Sequence, residues 1–93
     1  MLKKQLGQRI KTLRLAKKYT QEKFAELVGI DSKNISKIET GSNYPSSETL
    51  KSIANALNID VYELFVFNNE IDYEKIRDEI ISSLDDKKHH LFV

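Results

Sequence analysis

The stretch DSKNISKIETG, residues 31–41, gathers most of the groups in this chain that could do chemistry on a single face. An aspartate suited to capping opens it and a glycine closes it, so it reads as one short helix. At 100° per residue, Ile35 and Ile38 define one face, with Asp31 and Glu39 beside them. Lys33, Ser36, Lys37 and Thr40 point the other way. Two ammonium groups and two hydroxyls are hydrogen-bond donors with net positive charge. They are equipped to meet an anion or a row of acceptor atoms. Water would satisfy them as well, so the face alone leaves both uses open.

Other chemistries find little support. The chain has no cysteine, which excludes a disulfide framework and thiolate metal sites and fits a reducing cytosol. No Ser–His–Asp or Cys–His set is present, and the carboxylates are scattered over surface positions. His89 and His90 stand in the aperiodic end DDKKHHLFV without another convincing ligand. Glu74, Asp78 and Glu79 read as a solvated acidic face. No enzyme, metal or cofactor is expected.

The elements that must carry the donor face follow from apolar spacing. Leu2, Leu6, Ile10 and Leu13 recur at four and three residues, one face of a first helix over about 2–17. Thr20 caps a second, with Glu22 in its first turn and Phe24, Ala25, Leu27 and Val28 buried. Gly29 ends it, where a left-handed residue is needed. Asp31 caps the third helix and Gly41 stops it. After the loop SNYP, Ser46 caps a fourth helix, 47–57, with Leu50, Ile53, Ala54 and Leu57 inward and Asn58 as its C-terminal cap. Asp60 and Glu63 form a capping box for a short fifth helix through about 66. Asn68 and Asn69 mark a break. A sixth helix over about 72–84 has Tyr73, Ile76, Ile80 and Leu84 as its apolar face, with Ile81 on the flank. There is no glycine-serine linker, internal repeat or strand-like alternation.

Ninety-three residues, 40% hydrophobic and 31% charged, make one small soluble domain with a short appendage. The longest apolar run, LFVF at 64–67, is too short to span a membrane, and MLKKQLGQRI lacks the apolar region of a signal peptide. A cytoplasmic protein is expected. The formal charge of +1 hides an asymmetry: residues 1–41 balance to +6 and residues 42–93 to −5. A basic half beside an acidic half suits a face that meets an anion such as nucleic acid, or a lysine-rich solvated surface.

Only Gly29, Ile30 and Asp31 separate the second and third helices. Val28, Ile30, Ile35 and Ile38 must share a core with Phe24 and Leu27. So short a connection forces a steep crossing, the helix-turn-helix arrangement. The outer face of the third helix then projects from the body, narrow and polar enough to enter a major groove.

Residues 6–65 closely resemble the Cro/repressor-type (XRE-like) helix-turn-helix family of bacterial and phage transcription regulators, through TQEKFAELVGI, ISKIETG and P-S-x-E-T-L-x-x-I-A-x-A-L. The resemblance implies an all-α, five-helix, lambda-repressor-like domain, 1–67, with an additional C-terminal helix in the extension 68–93. It implies a regulator, by expectation a repressor, that binds an inverted repeat of double-stranded DNA as a homodimer. Carried over by position, Ser32, Lys33 and Lys37 match base-reading residues, with Ser36 a further candidate. Gln21 matches a phosphate contact and Asn34 a position near the DNA backbone. Arg14 and Glu39 match a structural ion pair. The 42–47 loop lacks the basic residues of many relatives, which leaves Ser42, Asn43 and Tyr44 as hydrogen-bond donors to phosphate. Lys18 stands where relatives usually carry a helix-ending glycine.

Val66, Phe67, Tyr73, Ile76, Ile80 and Leu84 are the expected dimer or partner surface, because so short a chain has little core in which to bury them. The alternative is an antitoxin-like module that binds a small protein antagonist through the C-terminal helix.

Overall fold

The computed structural model describes residues 1–67 and 77–82 of the chain. Four α-helices follow one another: α1 (Leu2–Ala16), α2 (Gln21–Val28), α3 (Ser32–Glu39) and α4 (Ser47–Leu57). A 3₁₀ turn, Val61–Phe65, comes next, and residues 77–82 are helical. No strand occurs among the described residues. The fold is all-α, as the apolar spacing requires.

Each helix stops where its sequence changes the backbone. After α1, Lys18 takes a left-handed conformation, φ +61°. This costs a residue with a Cβ about 1 kcal/mol. Thr20 then opens α2, its hydroxyl accepting the Lys23 N–H at 3.0 Å. Gly29, at φ +88°, closes α2 at no such steric cost, and the N–H groups of Gly29 and Ile30 both return to the Ala25 carbonyl. Ser46 caps α4 through the Thr49 N–H at 3.2 Å, and Asn58 ends it at φ +59°.

The core is one cluster. Leu6, Ile10, Phe24, Ile35, Ile53, Leu57 and Leu64 are fully buried, each contributing about 1.5–3 kcal/mol relative to exposure. Gly7 explains how closely α1 approaches α3. A Cβ there would collide with the carbonyl oxygens of Ile38 and Glu39, so the two helices meet backbone to backbone. That contact sets the direction in which α3 leaves the body.

Four expectations need correction. Leu27 is 44% exposed, because the buried stripe of α2 is Phe24, Ala25 and Val28, and Leu27 lies 100° around the helix from Val28. Leu2 is 46% exposed, since α1 first meets the end of α3 at Lys4, which lies against Gly41. Asp31 occupies the N-cap position of α3, but its side chain accepts no capping bond. The fifth helix is a 3₁₀ turn. Its capping box is present, but its bonds run i→i+3, as from Glu63 N–H to the Asp60 carbonyl at 3.0 Å. Leu64 and a bond from Arg9 Nε to the Glu63 carbonyl, 3.1 Å, hold this turn against α1.

Tyr73, Ile76, Leu84, Glu74, His89 and His90 lie outside the described residues, as do the ends of the expected sixth helix. Within 77–82, Ile80 and Ile81 are exposed. No described helix is long and apolar enough to cross a membrane.

Candidate nucleic-acid interface

The two faces of α3 differ sharply. Ile35, Ile38 and Glu39 are buried, and Lys33, Asn34 and Lys37 are exposed. Ser32 and Ser36 are half-buried on the flank between them. Neither Lys33 nor Lys37 has a hydrogen-bond or ion-pair partner among the described residues. By contrast Lys23, exposed on α2, leans on Glu26 at 3.4 Å. Among the described residues nothing competes for the ammonium protons of the α3 lysines.

The loop after α3 folds back on the helix. The N–H groups of Ser42 and Asn43 both donate to the Lys37 carbonyl, at 2.8 and 3.2 Å. The Ser42 hydroxyl lies 3.2 Å from that of Thr40. Two N–H groups of this loop are thus committed to ending α3. Ser42, Asn43 and Tyr44 are exposed, with Tyr44 at 45%. Asn34 and Asn43 line a shallow groove with Tyr44, Ser46 and Thr49, which joins the edge of α3 to the start of α4.

Behind the exposed face lies a buried polar cluster. Arg14 donates from Nε to Glu39 Oε2 at 2.7 Å and from Nη2 to Oε1 at 3.1 Å, a two-pronged pair with both side chains buried. Its Nη1 donates to the Tyr19 carbonyl at 2.7 Å, in the turn between α1 and α2. Gln21, the first residue of α2, donates from Nε2 to Glu39 Oε1 at 3.0 Å. This last bond has no signal in the sequence. Nothing in the spacing of residues 21 and 39 announces it, because it depends on the crossing of α2 and α3.

The arrangement brings Gln21, α3 and the 42–44 loop into one neighbourhood, with Arg14 and Glu39 beneath them. It does not bring Val66 and Phe67 there. Val66 is 44% exposed beyond the 3₁₀ turn, and Phe67 packs edge-on against Phe65 with ring centres 6.3 Å apart. No cluster of His, Cys, Asp or Glu suited to a metal ion is found among the described residues.

A sequence profile of the helix-turn-helix family matches residues 10–64. The transcriptional regulator YazB of Bacillus subtilis is 41% identical over 58 residues, which cover 62% of this chain and 84% of YazB. Among solved structures, the restriction-modification controller protein C.AhdI of Aeromonas hydrophila superposes with a TM-score of 0.66 at 37% identity, covering 67% of this chain and 94% of its own. PlcR of Bacillus thuringiensis, solved in complex with the peptide PapR7 and DNA, superposes with a TM-score of 0.64 at 28% identity. That match covers 91% of this chain and 31% of PlcR.

Proposed function

The chain belongs to the helix-turn-helix family of DNA-binding transcriptional regulators, which are not enzymes, and from that premise we propose that it is a repressor binding an inverted-repeat operator as a homodimer. One observation carries the reading. The outer face of α3 presents Lys33 and Lys37 without partners among the described residues, on a helix whose other face is buried. Lysine ammonium suits the O6 and N7 acceptors of guanine, and the hydroxyls of Ser32 and Ser36 serve any base through one hydrogen bond. Gln21, Asn34, Ser42, Asn43 and Tyr44 surround that face and take phosphate oxygens, which fix orientation and carry no sequence information. Residues 1–67 form the DNA-binding unit, and residues 68–93 contribute to pairing or partner binding.

Exposed Val66 and Ile80, with Phe67, support pairing of two copies. Two-fold symmetry then places half-sites about one helical turn of DNA apart. The same exposure of Ile80 and Ile81 supports a second reading, a small protein antagonist docked on the C-terminal helix. Sedimentation with Ile80→Asp separates the two, since a dimer that persists removes this residue from the pairing surface.

Selection of a random duplex pool on the purified protein tests the main reading. The expected result is an enriched inverted repeat, and Lys33→Ala then relaxes one position of each half-site, at a cost of about 1–3 kcal/mol on the preferred base. An unselected pool whose retention vanishes with modest added salt would leave only non-specific attraction to phosphate.

A further inference from the structure

Glu39 is buried at the C-terminal end of α3, whereas Lys33 and Lys37 on the same helix are exposed. The Glu39 side chain is 1% exposed and receives three hydrogen bonds, two from Arg14 and one from Gln21. Arg14 adds a fourth link, to the Tyr19 carbonyl. One carboxylate at the end of α3 thereby gathers the end of α1, the turn after it and the first residue of α2.

Stability is a poor explanation for such a device. Removing two charges from water costs about as much as their attraction returns, and apolar side chains of similar volume often stabilise a fold equally well or better. What the carboxylate supplies is geometry. It accepts and cannot donate, so it requires an N–H from Gln21 and turns the carboxamide with its nitrogen inward. The oxygen and the second N–H of Gln21 are left on the outer side, at the N-terminal residue of α2. The first residue of α2 is then tied through one oxygen to the last residue of the helix that bears Lys33 and Lys37.

We infer that Glu39 is a positioning residue for DNA binding: through Gln21 it holds the phosphate-contacting start of α2 in register with the base-reading face of α3. The inference rests on the proposed role of Gln21 at a phosphate. It assigns the buried cluster to recognition rather than to stability.

The test separates those two quantities. The paired change Arg14→Met with Glu39→Leu removes both charges and leaves half-buried Gln21 free to turn to water. The variant is expected to melt at or above the wild-type temperature, yet to bind the selected operator about tenfold more weakly. Methylphosphonate placed at each operator phosphate in turn then locates the loss. Wild-type protein is expected to lose affinity at the phosphate that Gln21 meets. Gln21→Ala and the paired variant are both expected to be indifferent there and unchanged elsewhere. Arg14→Leu with Glu39→Met, which likewise offers Gln21 no oxygen acceptor, provides the same readout if the first pair does not fold. Each scan is a ratio within one preparation, so partial unfolding cancels.

A folded variant with wild-type affinity and a wild-type phosphate profile overturns the inference while leaving Gln21 as a contact. If Gln21→Ala itself matches wild type at every phosphate, the reading of Gln21 fails and the inference falls with it.

Discussion

At the start of α2, Thr20 caps the helix with its hydroxyl and Gln21 is held by a buried carboxylate. At the start of α3, Asp31 has the same extended backbone, but its carboxylate caps nothing and Lys33 beside it stands in solvent. Both turns belong to one helix-turn-helix unit, and they are only eleven residues apart. The difference fits a division of labour. A contact that fixes orientation gains from being preorganised, because no side-chain freedom is then lost on binding. A contact that reads base edges works through side chains whose positions the partner completes. The backbone of α3 is nonetheless as firmly set as that of α2, by Ile35, Ile38 and the close approach at Gly7.

Breaking the held side is expected to have the largest effect. Glu39→Ala leaves the buried Arg14 guanidinium without its partner and Gln21 without its acceptor. A loss of about 3–5 kcal/mol in denaturant unfolding is expected, because one member of a buried pair is removed and the other remains. A loss below about 1 kcal/mol would mean that water reaches Arg14 in solution, and the contrast between the two turns would weaken.

Thr20→Ala removes the side-chain cap and leaves Lys23 N–H without its acceptor. The expected cost is about 1 kcal/mol, read as a lower denaturant midpoint at an unchanged slope. Just before that cap, Lys18 sits in the left-handed region. Lys18→Gly relieves a strain of about 1 kcal/mol, offset in part by the greater freedom of glycine in the unfolded chain. A rise of a few degrees in Tm is expected, and a fall would mean that Lys18 adopts another conformation in solution.

These residues also mark how far the sequence could be read. Helix starts at Thr20 and Ser46, the left-handed caps Gly29 and Asn58, and the Asp60–Glu63 box are local. Each depends on a few neighbours in the chain, and each was visible as a residue type at a fixed offset. Lys18, by contrast, stood out only through the resemblance. The burial of Leu2 and Leu27 was misjudged because periodicity gives a face and not its limits. Whether a residue at the margin is covered depends on which helix lies opposite. Gly7 carried no signal, since a glycine inside a helical pattern looks like a weak helix former until the carbonyls of Ile38 and Glu39 are placed against it. The exposure of Lys33, Lys37 and Thr40 on α3 was legible, because one helix contains them, whereas Ser36 is half-buried and Asn34, not assigned to that face, is exposed. The bond from Gln21 to Glu39 was not legible, because it is made by the crossing of two helices and by a carboxylate that the spacing alone aligned with the apolar side.

Asp31 provides the finest test of the contrast, and the smallest expected effect. The N–H groups of Asn34 and Ile35 both return to its backbone carbonyl, which a substitution leaves in place. Its carboxylate makes no capping bond, so Asp31→Ala removes only the attraction of a negative charge to the helix N-terminus. On an exposed turn that is worth about 0.3–1 kcal/mol at low salt and less at physiological salt. The change in unfolding free energy is therefore expected to stay below that of Thr20→Ala and to shrink as salt is added. Binding should move the opposite way. A carboxylate beside phosphates repels them, so its removal is expected to tighten association with DNA of any sequence. If Asp31→Ala instead costs as much as Thr20→Ala and is insensitive to salt, Asp31 caps α3 in solution with its side chain. The two turns would then be held alike, and the freedom assigned to the reading helix would have to reside in Lys33 and Lys37 alone.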